Sequence, residues 1–401
     1  MHTSSRRLVS PSTLRDSDAK HLYLFFNSEP KQKVWPKDLE FSIHDQAYVL
    51  GYTIVQRQRK PGKVGVRYEF ISERFIGLGS YGTKVYPIAA TMVLTKDSIS
   101  FTKVADVNDF YHKTRVVKVQ KLSEWITPFR VQHEYEMSLK ASHLAIKPPT
   151  MTDTDCYTVM RQAKGIELFE MLSKDSLTVQ RRLELSKALL SALKQQVTEK
   201  GLIHRDIKPE NIIVHPHKKP ISITIIDYDK AGLISNPFME CGATLVYAAP
   251  ELFTTRLPRT EKIDVFSMGR VLSEIWGIRN NSFDEENPYQ IIYNANNMAQ
   301  ELETLFTKIA PLSTQNKRMI ATILEQMLEA EWEQRCSIDE AIAAFDKINI
   351  HDVTPEASRI SEPESLSRYL MSSIQYGLSF FKLGSSQTEE QRVKQHKIIR
   401  L

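Results

Sequence analysis

The chain has 401 residues, 41% of them hydrophobic and 25% charged, which is the make-up of a globular protein with room for two or three lobes. Its 53 Lys and Arg against 48 Asp and Glu leave +5, spread along the chain, so anionic partners such as nucleotides or membrane surfaces are allowed but not demanded. The scattered Cys156, Cys241 and Cys336 exclude a disulfide framework or a CxxC zinc site; with a polar N-terminus and no long uncharged apolar run, the expectation is a soluble, cytoplasmic protein in a reducing compartment.

Residues 1–35 are polar with little periodicity and are expected to be loose. From about 40 to 120 the pattern is that of strands. VGVRYEF (64–70) alternates apolar and polar positions, and YVLGYTIV, TMVLT and RVVKVQ are rich in β-branched and aromatic residues. A helix is expected from about 123 and a short strand at CYTVM (156–160). From 165 onward helices dominate, as in LTVQRRLELSKALLSALKQQ, whose apolar residues recur at three- and four-residue spacing. Short strands at NIIV (211–214) and ITIID (223–227) interrupt them. The expected fold class is α+β and bilobal, with a β-rich first lobe to about 160 and a mainly helical second lobe over 164–348.

The residues that carry chemistry lie in GLIHRDIKPENIIV (201–214). His204, Arg205 and Asp206 precede Lys208, and Asn211 follows the aspartate by five residues. That spacing lets an aspartate reach a substrate hydroxyl while the asparagine turns back to a magnesium ion, and a lysine two residues after the base can neutralise a transferring phosphoryl group.

The chain resembles the eukaryotic-type Ser/Thr protein kinases over roughly 71–348, with a partly strand-like extension before that span and a helical, charged one (349–401) after it. GLGSYGTKV (77–85) fits the family's glycine-rich loop, with Gly77, Gly79, Gly82 and Val85 at its intervals; glycines let the backbone come close to phosphates. The resemblance implies that Lys118 binds the α- and β-phosphates of ATP and that Glu134, or else Glu136, pairs with it. It makes Met160 the gatekeeper and sets the backbone of Arg161 to Ala163 against adenine. Glu167 would reach either the ribose or a basic substrate residue. Asp206 and Lys208 become the catalytic pair, and Asn211 and Asp227 the ligands of Mg2+. AAPEL (248–252), DVFSMG (264–269) and Arg335, which in the family pairs with Glu251, favour a protein substrate over a small molecule. Lys208 favours Ser/Thr over Tyr as the acceptor.

The departures are local. IIDYD (225–229) has Tyr228 for Phe, a tolerable ring, and Asp229 for Gly, which removes backbone freedom and adds charge near the metal. Altered regulation is expected from it rather than lost catalysis. Between Val85 and Lys118 lie 32 residues, so about 88–113 should add strands or a loop. HPHKKP is a long basic turn whose plain reading is a solvated hairpin tip. Between Asp227 and Glu251, Ser235 and Thr244 are the few hydroxyl candidates. Glu240 could pair with Arg205 as a weaker stand-in for a loop phosphate, or could be a solvated side chain without a partner.

Beyond 348, Leu366, Leu370, Ile374, Leu378 and Phe381 form an apolar stripe that either docks on the large lobe or meets a membrane or protein partner. Accessory ends of this kind are similar to those of kinases that intracellular bacteria deliver into a host cytosol. No nucleic-acid partner is expected. The rival to an ATP- and Mg2+-dependent Ser/Thr kinase is a pseudokinase or scaffold; retention of Lys118, Asp206, Asn211 and Asp227 speaks against it.

Overall fold

The computed structural model describes residues 6–57, 62, 65–103, 114–174, 177–215, 217–236, 244–253, 258–277 and 313–348. Glu240, Cys241 and the stripe from Leu366 to Phe381 lie outside them.

Alternating apolar positions and β-branched residues make the first lobe a sheet. Its first part holds β1 (Arg7–Val9), the helix α1 (Ala19–Ser28), β2 (Val34–Trp35), β3 (Glu40–Ile43), β4 (Gln46–Leu50) and β5 (Thr53–Gln56). β6 (Val66–Ile71), β7 (Gly77–Leu78), β8 (Lys84–Leu94), β9 (Ile99–Lys103), β10 (Arg115–Lys121), α2 (Pro128–Ala141), β11 (Thr150–Met151) and β12 (Asp155–Arg161) follow. The main sheet runs β11-β12-β10-β8-β6-β5-β2, with β7 and β9 also paired to β8. β8 is the spine: its first half pairs with β10 and its second half, Ala90 to Leu94, with β9. The extra residues after Val85 therefore lengthen one strand and add another; 104–113 lie outside the described residues.

Residues 6–35 are not loose. Leu22 and Phe26 of α1 are buried with Trp35, Tyr48, Tyr68 and Phe70, and Phe26 stacks on Tyr68 with centroids 4.4 Å apart. Leu22 and Phe26, four residues apart, are the periodic signal; they sit inside the unbroken apolar run LYLFF (22–26), which marks no single face by itself, and the partners that bury them come from distant strands. YVLGYTIV is likewise two strands, broken at Gly51 and Tyr52.

The second lobe holds β13 (Ile166–Glu167), α3 (Leu168–Lys174), α4 (Val179–Gln196), β14 (Leu202–Ile203), β15 (Ile212–His215), β16 (Ser222–Ile225), β17 (Gly232–Leu233), α5 (Lys262–Ile275), α6 (Thr314–Met327) and α7 (Ile338–Asp346). The Thr178 hydroxyl accepts the backbone N–H of Arg181 at the start of α4, a cap that contributes about 1 kcal/mol. Leu185, Leu189 and Leu193 of the same helix are fully buried, beside Val271 and Leu272 of α5. β13, β15 and β16 form a small sheet, and residues 217–220 between β15 and β16 are an exposed turn. The fold is α+β and bilobal, with the chemistry-bearing segments where the lobes meet.

Candidate active site

Lys118 and Glu134 of the first lobe meet Asp227 of the second. Thr127 caps α2 by accepting the Arg130 N–H, Pro128 starts the helix, and Glu134 is carried on its buried side. From β10, Lys118 Nζ stands 2.6 Å from Glu134 Oε1 and 2.9 Å from Asp227 Oδ1. Glu134 thus faces Lys118, whereas Glu136 accepts a hydrogen bond from Gln132 on the solvent side. Burial opposes the charge on Lys118, but Asp227 and Glu134 outweigh it and hold the ammonium protonated well above its usual range.

The glycine turn runs from β7 to β8, where Gly77 pairs with Val85 and Lys118 pairs with Val85 from the other side. A Cβ at Gly77 or Gly79 would meet no heavy atom of the neighbouring chain closer than 3.4 Å. Packing therefore does not require glycine at either position. Gly82 has φ +73°, which a side chain would strain. Val85, Met160 and Ala163 are half-buried, Met160 near the end of β12 and Ala163 in the link that follows; Glu167 is exposed in β13.

Asp206 is the most heavily bonded carboxylate here. Lys208 Nζ lies 3.0 Å from its Oδ2 and Lys230 Nζ 3.0 Å from its Oδ1. Thr244 Oγ1 donates to Oδ1 at 2.6 Å and accepts from Lys208 Nζ at 3.1 Å. Asn211 Nδ2 donates to the backbone oxygen of Asp206 at 2.9 Å and to Oδ2 at 3.2 Å. The Asn211 backbone oxygen accepts the Ile226 N–H, so one residue ties the Asp206 loop to the Asp227 segment. Burial resists ionisation of Asp206, but the two lysines and the Thr244 hydroxyl hold the carboxyl well below the usual carboxylate range. Asp227 is lowered too, burial being overcome by Lys118.

Neighbouring groups fix the backbone. Asp264 of α5 accepts the N–H of His204 at 2.6 Å and of Arg205 at 2.8 Å, and His204 Nε2 lies 3.0 Å from the Ile226 oxygen. Arg205 and Asp227 both have left-handed backbones (φ 66° and 65°), a strain held by these contacts. Tyr228 is fully buried, edge-on to His204 at 4.7 Å, and its hydroxyl donates to Gln196 O at 3.3 Å, so the ring fits and its oxygen is satisfied. The Arg205 guanidinium is buried with none of its three nitrogens hydrogen-bonded among the described residues. Gly232 makes room for it, since a Cβ there would stand 2.6 Å from its central carbon.

Lys230 and the side-chain partner of Asp229 were not legible in the sequence. Lys230 follows Asp206 by 24 residues and no spacing rule joins them. Asp229, an acid where glycine was expected, was the only signal that a basic partner had to be sought.

Lowered folded-state pKa values for Asp206 and Asp227 set a sign for pH dependence. Their stabilisation is fully present above the unfolded carboxyl value, about 4, and is lost as pH falls through the lower folded values. The melting temperature of the wild type is expected to drop steeply below about pH 4, and that of Asp206→Asn less steeply over the same range. Thermal melts of both proteins from neutral pH into acid check this; parallel slopes contradict it.

Among the described residues no group of three or more His, Cys, Asp and Glu is placed to hold a metal. Two oxygen donors could instead serve a cation: the carboxylate of Asp227 and the amide oxygen of Asn211, whose Nδ2 is engaged by Asp206. Hard oxygen donors this few suit a cation that keeps its remaining sites for water and phosphate oxygens.

The protein kinase domain model matches residues 72–344. Over 240 residues the chain is 28% identical to the probable serine/threonine-protein kinase 2 of Plasmodium falciparum, covering 59% of this chain and 41% of that one. It is 29% identical over 195 residues to the serine/threonine-protein kinase PSK2 of Saccharomyces cerevisiae, 47% of this chain and 16% of the relative. It is also 29% identical over 217 residues to mouse sperm motility kinase 3A, 52% and 38% respectively. The chain thus spans less than half the length of each of these relatives. The family match covers most of the chain, and within it Lys118 meets Glu134 and Asp227 while Asn211 ties Asp206 to the Asp227 segment: the chain belongs to the protein kinase family.

Proposed function

We propose that the protein transfers the γ-phosphoryl group of ATP to a serine or threonine hydroxyl of a protein substrate. One observation carries the reading: the Thr244 hydroxyl sits 2.6 Å from Asp206 Oδ1 and 3.1 Å from Lys208 Nζ, a place in which an acceptor hydroxyl fits. In that place Asp206 orients the hydroxyl and takes its proton as the new O–P bond forms and the bond from γ-phosphorus to the ADP oxygen breaks. Lys208 balances charge on the transferring group. Lys118, anchored by Glu134, binds the α- and β-phosphates, and the bare backbone of Gly77 and Gly79 lets them approach. Asp227 and Asn211 would hold Mg2+, which when bound offsets phosphate charge. Met160 and Ala163 face the adenine, and Glu167 the ribose or a basic residue of the substrate. Catalysis on this account is positioning and electrostatics, and the strongly acidic Asp206 suits a step in which the proton leaves late.

The finer proposal is a kinase delivered by an intracellular bacterium into a host cytosol. It rests on the accessory ends, and translocation of a reporter fusion tests it. The functional reading is tested by incubating purified protein with labelled ATP, Mg2+ and a mixed protein panel, then mapping phosphosites. Phosphoserine and phosphothreonine are expected. Nucleotide binding without phosphate incorporation points to a scaffold instead.

A further inference from the structure

Asp229 occupies the position where glycine was expected, and its carboxylate has a specific partner. Arg130, in the first turn of α2, donates Nη2 to Asp229 Oδ2 at 2.6 Å, with the two side chains 35% and 18% exposed. The same guanidinium donates Nη1 to the Trp125 oxygen at 3.0 Å and lies 5.9 Å from the centroid of the Tyr81 ring at the tip of the glycine turn. Tyr81 in turn stacks on Trp125, with centroids 6.4 Å apart and planes 13° from parallel.

Arg130 does not act alone. His133 Nε2 stands 2.8 Å from the Ala231 oxygen, and Glu134 holds the lysine that reaches Asp227. Residues 130, 133 and 134 share one face of the helix, so a single face fastens α2 to positions 227, 229 and 231. The Arg130 contact is a charge-assisted hydrogen bond between partly desolvated groups, a stronger class than an exposed surface pair.

We propose that Arg130 and Asp229 are positioning residues. They latch α2 onto the 227–231 segment and, through Tyr81, onto the glycine turn, which keeps Lys118, Glu134 and Asp227 assembled in the resting protein. The effect on rate rests on the phosphotransfer reading above; the latch itself does not.

The test compares wild type with Asp229→Gly, Arg130→Ala and the double variant, in steady-state kinetics and in amide hydrogen exchange over residues 128–141 and 227–231. Each single change is expected to lower kcat about tenfold while KM for the acceptor stays within about twofold, and the double variant is expected to be no worse than the singles. Exchange is expected to quicken in both segments together in each single variant, with or without ATP. Additive losses in the double variant, or exchange in α2 unchanged by either substitution, overturn the proposal. If wild type binds ATP but transfers no phosphate, the functional reading fails, and the exchange data still decide the latch.

Discussion

Asp206→Asn is expected to lower phosphotransfer by about 10³-fold, within the range that loss of a positioned base produces, while the protein stays folded. Asparagine keeps the shape but can neither accept the hydroxyl proton nor balance Lys208 and Lys230, each 3.0 Å from the carboxylate. Asp227→Asn is expected to cost at least as much, because it removes the charged donor proposed for Mg2+ and the second carboxylate on Lys118. Phosphate incorporation, read beside a circular-dichroism melt, separates lost chemistry from lost fold. Near-wild-type incorporation by either variant contradicts the mechanism.

The largest effect on stability is expected far from the chemistry. Arg335 and Glu251 are 0% and 1% exposed and meet in two parallel bonds of 2.6 and 3.0 Å. Arg335 also donates to the backbone oxygens of Glu329, Lys262 and Ala330, and lies 4.9 Å from the Phe266 ring centroid. Glu251→Ala strands a buried guanidinium and is expected to cost about 3–5 kcal/mol. Arg335→Met removes the guanidinium from a fully buried carboxylate and is expected to cost a similar amount. Denaturant unfolding measures both. A loss below about 1 kcal/mol places the pair among surface contacts of little consequence and contradicts the packing described.

Much of the site was readable from residue order because phosphoryl transfer demands fixed spacings. Asp206, Lys208 and Asn211 lie on one short loop, so their sequence spacing nearly dictates their geometry. Lys118 and Glu134 were harder: two glutamates on α2 qualified, and only the turn of the helix relative to β10 puts Glu134 inside. What the sequence hid depends on contacts across the fold. Lys230 reaches Asp206 because the chain turns back after Asp227, and Arg130 finds Asp229 across 99 residues. The same holds for α1, whose Leu22 and Phe26 gain their meaning only against Trp35 and Tyr68. The Glu240 pairing with Arg205 falls outside the described residues; among those described, the buried guanidinium of Arg205 has no hydrogen bond.

The most direct test of the central claim is phosphosite mapping on a protein panel, with wild type and Asp206→Asn run side by side at equal ATP and Mg2+. The account predicts phosphoserine and phosphothreonine with wild type and a signal about 10³-fold weaker with the variant. Equal incorporation by the two proteins, or none by a wild type that binds ATP, contradicts it.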